Sequence, residues 1–130
     1  MESPSRELKG VQVQVDKLLY QAAADNLPVG KPHAFIYFIT IRNLSDRRIT
    51  LLGRKWILEG DDGKTEVIEG EKIVGQTPVI APGESFSYNS YHAVAGTTRV
   101  SGAFFGIDET QQPFAARVPA FTLQTPLIDS

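Results

Sequence analysis

The sequence predicts an all-β chain folded as an antiparallel β-sandwich of about seven or eight strands. Three observations carry this expectation. Apolar and polar residues alternate with a period of two, as where Val11, Val13 and Val15 interleave with Gln12, Gln14 and Asp16. Turn-forming residues recur about every 8–14 positions. No stretch carries the 3.6-residue apolar period of a long helix.

The first strand runs from Val11 and continues through Leu19 and Tyr20 before breaking at Asn26-Leu27-Pro28-Val29-Gly30. The helix-friendly run Gln21 to Ala24 is too short to hold a helix by itself. Ala34 to Ile41 is the most hydrophobic strand, with Phe35, Tyr37, Ile39 and Ile41 on one face and Ile36 and Phe38 on the other. Apolar character on both faces marks a central strand. Asn43-Leu44-Ser45-Asp46 supplies turn residues, and its sequon-like pattern reads as turn chemistry. Ile49 to Leu58 follows, with Trp56 and a mid-strand Gly53 that suits a bulge.

Asp62-Gly63 predicts a hairpin, of the type I′ that favours Asp-Gly. Thr65 to Glu69 resumes the sheet, and Gly70 to Gly75 is less regular. Ala81-Pro82-Gly83 predicts a turn with proline second and glycine at positive φ. Phe86 and Tyr88 alternate with Ser85, Ser87 and Asn89 in the next strand. Arg99 to Ile107, a turn over Asp108 to Pro113, and Phe114 to Leu123 complete the pattern. With 130 residues, one domain spanning 1–130 with an ordered core over about 8–126 is expected.

Composition excludes several function classes. The chain has no cysteine, so disulfide scaffolds, thiolate zinc sites and cysteine nucleophiles are out. A net charge of −2 argues against a nucleic-acid binder driven by bulk charge. No stretch reaches the ~20 apolar residues that span a bilayer, and Met1 to Glu7 has no apolar core of a signal peptide. The expectation is a cytoplasmic protein that binds neither membrane nor nucleic acid.

No catalytic constellation emerges. Gly83-Glu84-Ser85-Phe86-Ser87 echoes a nucleophile elbow, but its closing position is serine and no helix follows. His33 and His92 are the only histidines, too few for a histidine-rich metal site; His92, beside Tyr91, is the better site candidate. The carboxylates from Glu59 to Glu71 lack EF-hand spacing and read as solvated turn charges. No metal and no cofactor is expected. Arg42, Arg47, Arg48, Arg54 and Lys55 crowd one hairpin, a candidate patch for an anion or a partner. In the Gly70–Gly75 loop backbone N–H groups are candidates to cradle an anion, with Lys72 adding charge.

Thr40-Ile41-Arg42-Asn43-Leu44, Leu51-Leu52-Gly53-Arg54-Lys55-Trp56, Gly70 to Gly75 and Ala81 to Tyr88 together resemble the bacterial ApaG family. The resemblance continues through Ser101-Gly102, Gln112-Pro113-Phe114 and Val118 to Leu123. It implies an immunoglobulin-like, fibronectin type III-like sandwich with no established enzymatic activity. It also implies a link to cobalt and magnesium efflux, and a kinship with eukaryotic domains that act as protein-interaction units. Family members often carry Gly-x-Gly-x-x-Gly at the loop, read as a pyrophosphate or nucleotide site. Here Gly70 and Gly75 match, while Lys72 stands at the middle glycine and Tyr91 stands where the family tends to have glycine.

Two readings of function follow. The first is a non-enzymatic module that docks a protein partner, with Arg54, Lys55, Tyr91 and His92 as candidate contacts. The second is a pyrophosphate- or nucleotide-binding protein using Gly70, Lys72 and Gly75. In either, exposed edge strands offer a route to a homodimer, and any role in metal efflux is indirect.

Overall fold

The computed structural model describes residues 6–7, 10–21 and 27–126. It is all-β: β1 (Arg6–Glu7), β2 (Val11–Gln21), β3 (His33–Asn43), β4 (Ile49–Gly60), β5 (Thr65–Glu71), β6 (Val79–Ile80), β7 (Ser85–Val94), β8 (Thr98–Asp108) and β9 (Pro113–Leu123). One sheet has the order β1-β9-β8-β4-β5, with β6 also pairing β4; the other is β2-β3-β7. Every pairing is antiparallel except the short parallel one between β1 and β9. Residues 8, 9 and 22–26, parts of the expected core and of the helix-friendly run, lie outside the described residues.

The alternation read from the sequence packs the two sheets. On β3 the inner residues Phe35, Tyr37, Ile39 and Ile41 are buried, and the strand is central in its sheet as its two-sided apolar pattern requires. Opposite them Leu51, Trp56 and Leu58 of β4 and Val100 and Phe104 of β8 are buried in the same core. Tyr37 and Trp56 meet edge to face at 5.3 Å, and Trp56 and Phe104 at 6.0 Å, geometries that aromatic quadrupoles favour.

The bulge suited to Gly53 is present: register with β8 shifts between Leu51 and Gly53. The change of phase turns Arg54 to the side of the sheet that carries Trp56. The turn at Ala81–Glu84 also forms as expected, with Glu84 N–H donating to the Ala81 carbonyl at 2.9 Å and Gly83 at φ +85°. The Asp62-Gly63 turn needs correction. Gly63 has positive φ but Asp62 does not, and Gly63 N–H donates to the Gly60 carbonyl at 3.1 Å. This is a type I turn closed by a glycine bulge, giving a three-residue loop, because Asp62 spends its carboxylate on Lys64 N–H at 2.9 Å. A two-residue type I′ turn does occur, at Val74-Gly75 (φ 42° and 81°), where Ile73 and Gln76 exchange backbone hydrogen bonds of 2.7 and 3.0 Å.

Candidate docking face

The outer face of the β2-β3-β7 sheet is built by a phase change in β2. Val13 is buried and Val15 packs against the core, but the register with β3 shifts between Val15 and Lys17, leaving Asp16 unpaired. Past this bulge the odd positions face outward. Leu18 and Tyr20 lie opposite the inner residues Tyr37 and Phe35, and Leu19 lies opposite Ile36 on the outer face.

Three cross-strand rows result. Leu19, Ile36 and Tyr91 are in register across all three strands, with Leu19 39% and Tyr91 56% exposed. Next come Lys17, Phe38 and Asn89, where the Lys17 ammonium sits 5.9 Å from the Phe38 ring centroid. Then Asp16 accepts the Thr40 hydroxyl, and Thr40 Oγ1 meets Ser87 Oγ at 2.8 Å. Asp16, Phe38 and Ser87 line a shallow cavity of about 420 Å³ beside this hydroxyl chain. The face thus runs from an apolar row to a polar one, the mix that binding patches use.

The candidate contacts named from the sequence do not share a surface. Tyr91 belongs to the face just described. His92, its neighbour, points the other way and is buried, its ring 4.8 Å from Tyr37 and 5.2 Å from Trp56. Burial lowers its pKa to about 4, against an opposing pull from Glu66, so the imidazole is neutral at pH 7. Its Nε2 has no hydrogen-bond partner among the described residues, and neither does the Tyr88 hydroxyl, whose pKa burial raises. Lys55 lies on the other sheet, 3.7 Å from the Glu69 carboxylate.

Arg54 caps the Gly70–Gly75 loop: its Nη1 donates to the Glu71 and Lys72 carbonyls at 2.9 and 2.8 Å. Gly70 belongs to β5 and Gly75 to the type I′ turn. Lys72 N–H donates to the Leu52 carbonyl at 2.7 Å, and Ile73 N–H to Gln76. Those donors are engaged within the protein, and Ile73 is fully buried beneath them.

The rest of the basic cluster is dispersed as well. Arg47 reaches Asp108 at 2.7 Å, and Arg48 N–H donates to Glu109. Asp108 is held well below the usual carboxylate range, first by the Thr110 hydroxyl and then by Arg47 and the Thr110 and Gln112 backbone. It pins the β8–β9 turn. Asn43 is fully buried and donates to the Arg47 and Ile80 carbonyls, which fixes the β3–β4 turn. An end cleft of about 490 Å³, rimmed by Asp61, Asp62 and Lys64, is crossed by the Lys31–Glu66 ion pair at 2.9 Å. Among the described residues no three His, Asp or Glu side chains converge as a metal ion requires, and no helix is long and apolar enough to cross a membrane.

Sequence reasoning missed Leu19, Asp16 and Thr40. The bulge that brings them to one face leaves no glycine or proline as a signal, and a strict period of two puts Leu19 on the core side.

Comparison with known proteins places this architecture. A family model described as the ApaG domain, DUF525, matches residues 24–106. Protein ApaG of Escherichia coli strain K12/DH10B is 36% identical over 121 residues, covering 91% of this chain and 92% of that protein. Protein ApaG of Shigella boydii serotype 18 matches equally well, 36% identical over the same shares of each chain. Among solved structures, an X-ray structure of a structural-genomics target has a TM-score of 0.80 at 29% identity, over 91% of this chain and 88% of that one. The crystal structure of a Bordetella pertussis protein described as ApaA has a TM-score of 0.73 at 22% identity, over 95% and 98%. At that identity its likeness speaks for the fold alone.

Proposed function

The chain belongs to the ApaG domain family, and on that premise we propose that it is a non-catalytic cytoplasmic module that docks a protein partner on the outer face of the β2-β3-β7 sheet. The observation that carries this reading is the in-register row Leu19–Ile36–Tyr91, apolar, in register across the sheet and open to solvent. Cross-strand packing covers only part of Leu19 and Tyr91, which keep 39% and 56% of their surface exposed, and an aromatic anchor on a rigid strand is how binding hot spots are built. Lys17, Asp16 and Thr40 supply a polar rim. A tie to cobalt and magnesium efflux then runs through the partner. The anion reading gains less support, since the loop's amides at Lys72 and Ile73 already donate to carbonyls.

The experiment captures partners on the immobilised protein, then measures the best-enriched one by calorimetry as a purified component. Tyr91→Ala is expected to weaken that complex at least about tenfold, in line with an anchor residue. Lys72→Ala, on the distant loop, is expected to leave it unchanged. Equal affinity for Tyr91→Ala and the parent removes the face from the function.

A further inference from the structure

Among the described residues the outer strands β2 and β7 of the three-stranded sheet each pair only with β3, and their two edges are not alike. β2 carries the Asp16 bulge and the exposed charges of Asp16 and Lys17, devices that stop another strand from adding. In the larger sheet, β5 is protected by exposed Glu66, Glu69 and Glu71. β7 has none of these. Ser85–Val94 contains no Lys, Arg, Asp, Glu or Pro, and its register with β3 runs unbroken from Arg42↔Ser85 to His33↔Val94. Its one imidazole, His92, is buried in the core. Among the described residues β7 pairs only with β3, and no other backbone hydrogen bond reaches it. Among the described residues one side of this ten-residue ladder is therefore open.

We propose that the β7 edge is a homodimer interface, at which a second copy of this chain adds its own β7 antiparallel across a two-fold axis to make one continuous six-stranded sheet. The occupant is argued from self-complementarity. Two-fold antiparallel pairing sets identical segments against each other, so any charge on β7 meets a like charge nearby, and β7 carries none. With the axis at Asn89, Ser87 lies opposite Tyr91 of the second copy and Ser85 opposite Ala93. Outward residues then stay outward, because the paired positions share parity. The two Tyr91 rows come to lie on one extended outer face. Growth stops at two copies because each far edge is β2, closed by its bulge and charges. This pairing uses main-chain groups and does not depend on the protein-partner reading.

Sedimentation equilibrium of the intact chain from about 1 µM to about 500 µM tests it. The mass is expected to double within that range. Asn89→Lys, at an exposed outer position, sets two ammonium groups side by side at the axis and is expected to raise the dissociation constant about tenfold or more. Amide exchange of Ser85–Val94 is expected to slow with concentration in the parent and not in the variant, while the dispersed amide spectrum shows that the variant is folded. A mass that stays monomeric throughout overturns the proposal and leaves the edge to a foreign strand. A dimer equally tight with Asn89→Lys also overturns it. Because Tyr91→Ala leaves the main-chain ladder intact, its failure to change partner affinity and a failure to dimerise are separate results.

Discussion

Two glycine-bearing turns close the two ends of β5, and they are held by different things. The Gly60–Lys64 turn is held mainly by its own atoms: Gly60 N–H donates to the Lys64 carbonyl at 2.9 Å and Asp62 accepts from Lys64 N–H, with one backbone tie outward from Asp61 N–H to the Thr97 carbonyl at 3.0 Å. A Cβ on Gly63 would meet nothing within 4 Å. The Lys72–Gln76 turn is held by the rest of the protein. Ile73 has no exposed surface, Lys72 N–H reaches across to Leu52, and Arg54 caps the Glu71 and Lys72 carbonyls. One is a solvated reversal and the other a plug in the side of the sandwich.

The sharpest way to break the contrast is Ile73→Ala. Removing a fully buried isoleucine from a loop that is otherwise exposed is expected to cost about 3 kcal/mol, since the lost transfer energy adds to an unfilled cavity. Denaturant unfolding measures it. A loss below about 1 kcal/mol would show that the loop floats on the core instead of being seated in it.

How much of this was legible depends on range. Tyr37, Ile39 and Ile41 announced the core because alternation is local, and Pro82-Gly83 announced its turn because proline and glycine fix φ locally. Asp62-Gly63 gave the presence of a hairpin but not its type, since a side-chain bond from Asp62 to Lys64 decides it. β1 and β6, two residues each, are too short to show a period. Arg54 read as a surface cation because the bulge that turns it inward is visible only as a glycine. Ile36 and Phe38 were legible as apolar, but that β3 is covered on one face and half-open on the other is a property of sheet stacking. The family's glycine pattern at 70, 72 and 75 was legible as well, while its cause needed the third dimension.

A Cβ at Gly70 would stand 2.6 Å from Arg54 Nη1. Gly70→Ala is therefore expected to push the guanidinium off its two carbonyls and cost about 1–2 kcal/mol, the range for hydrogen bonds to a charged donor after allowance for exposure. The loss belongs to the pair, so in an Arg54→Ala background the same substitution is expected to cost close to nothing. Full cost in both backgrounds would assign the requirement for glycine to the backbone instead of to Arg54.

The smallest effect bears most directly on the loop as a candidate anion cradle. Lys72 holds φ at +70°, a conformation that costs a residue with a Cβ about 1 kcal/mol and costs glycine little. Lys72→Gly restores the middle glycine of Gly-x-Gly-x-x-Gly. Glycine's greater freedom in the unfolded chain takes back part of the gain. The net expectation is a rise in stability of about 0.5 kcal/mol, read as a higher denaturant midpoint at unchanged slope. Gly63→Ala, at φ +84° on the solvated turn, supplies the scale: with no clash to relieve, its expected loss of about 1 kcal/mol is the backbone cost by itself. If Lys72→Gly lowers stability instead, the lysine side chain is contributing to the fold, and the geometry of a left-handed residue no longer suffices to explain a glycine there. If it raises stability as expected, the three glycines have three mechanical reasons, namely room for Arg54, a left-handed step at 72 and a type I′ turn at 75, and none of the three calls on a bound anion.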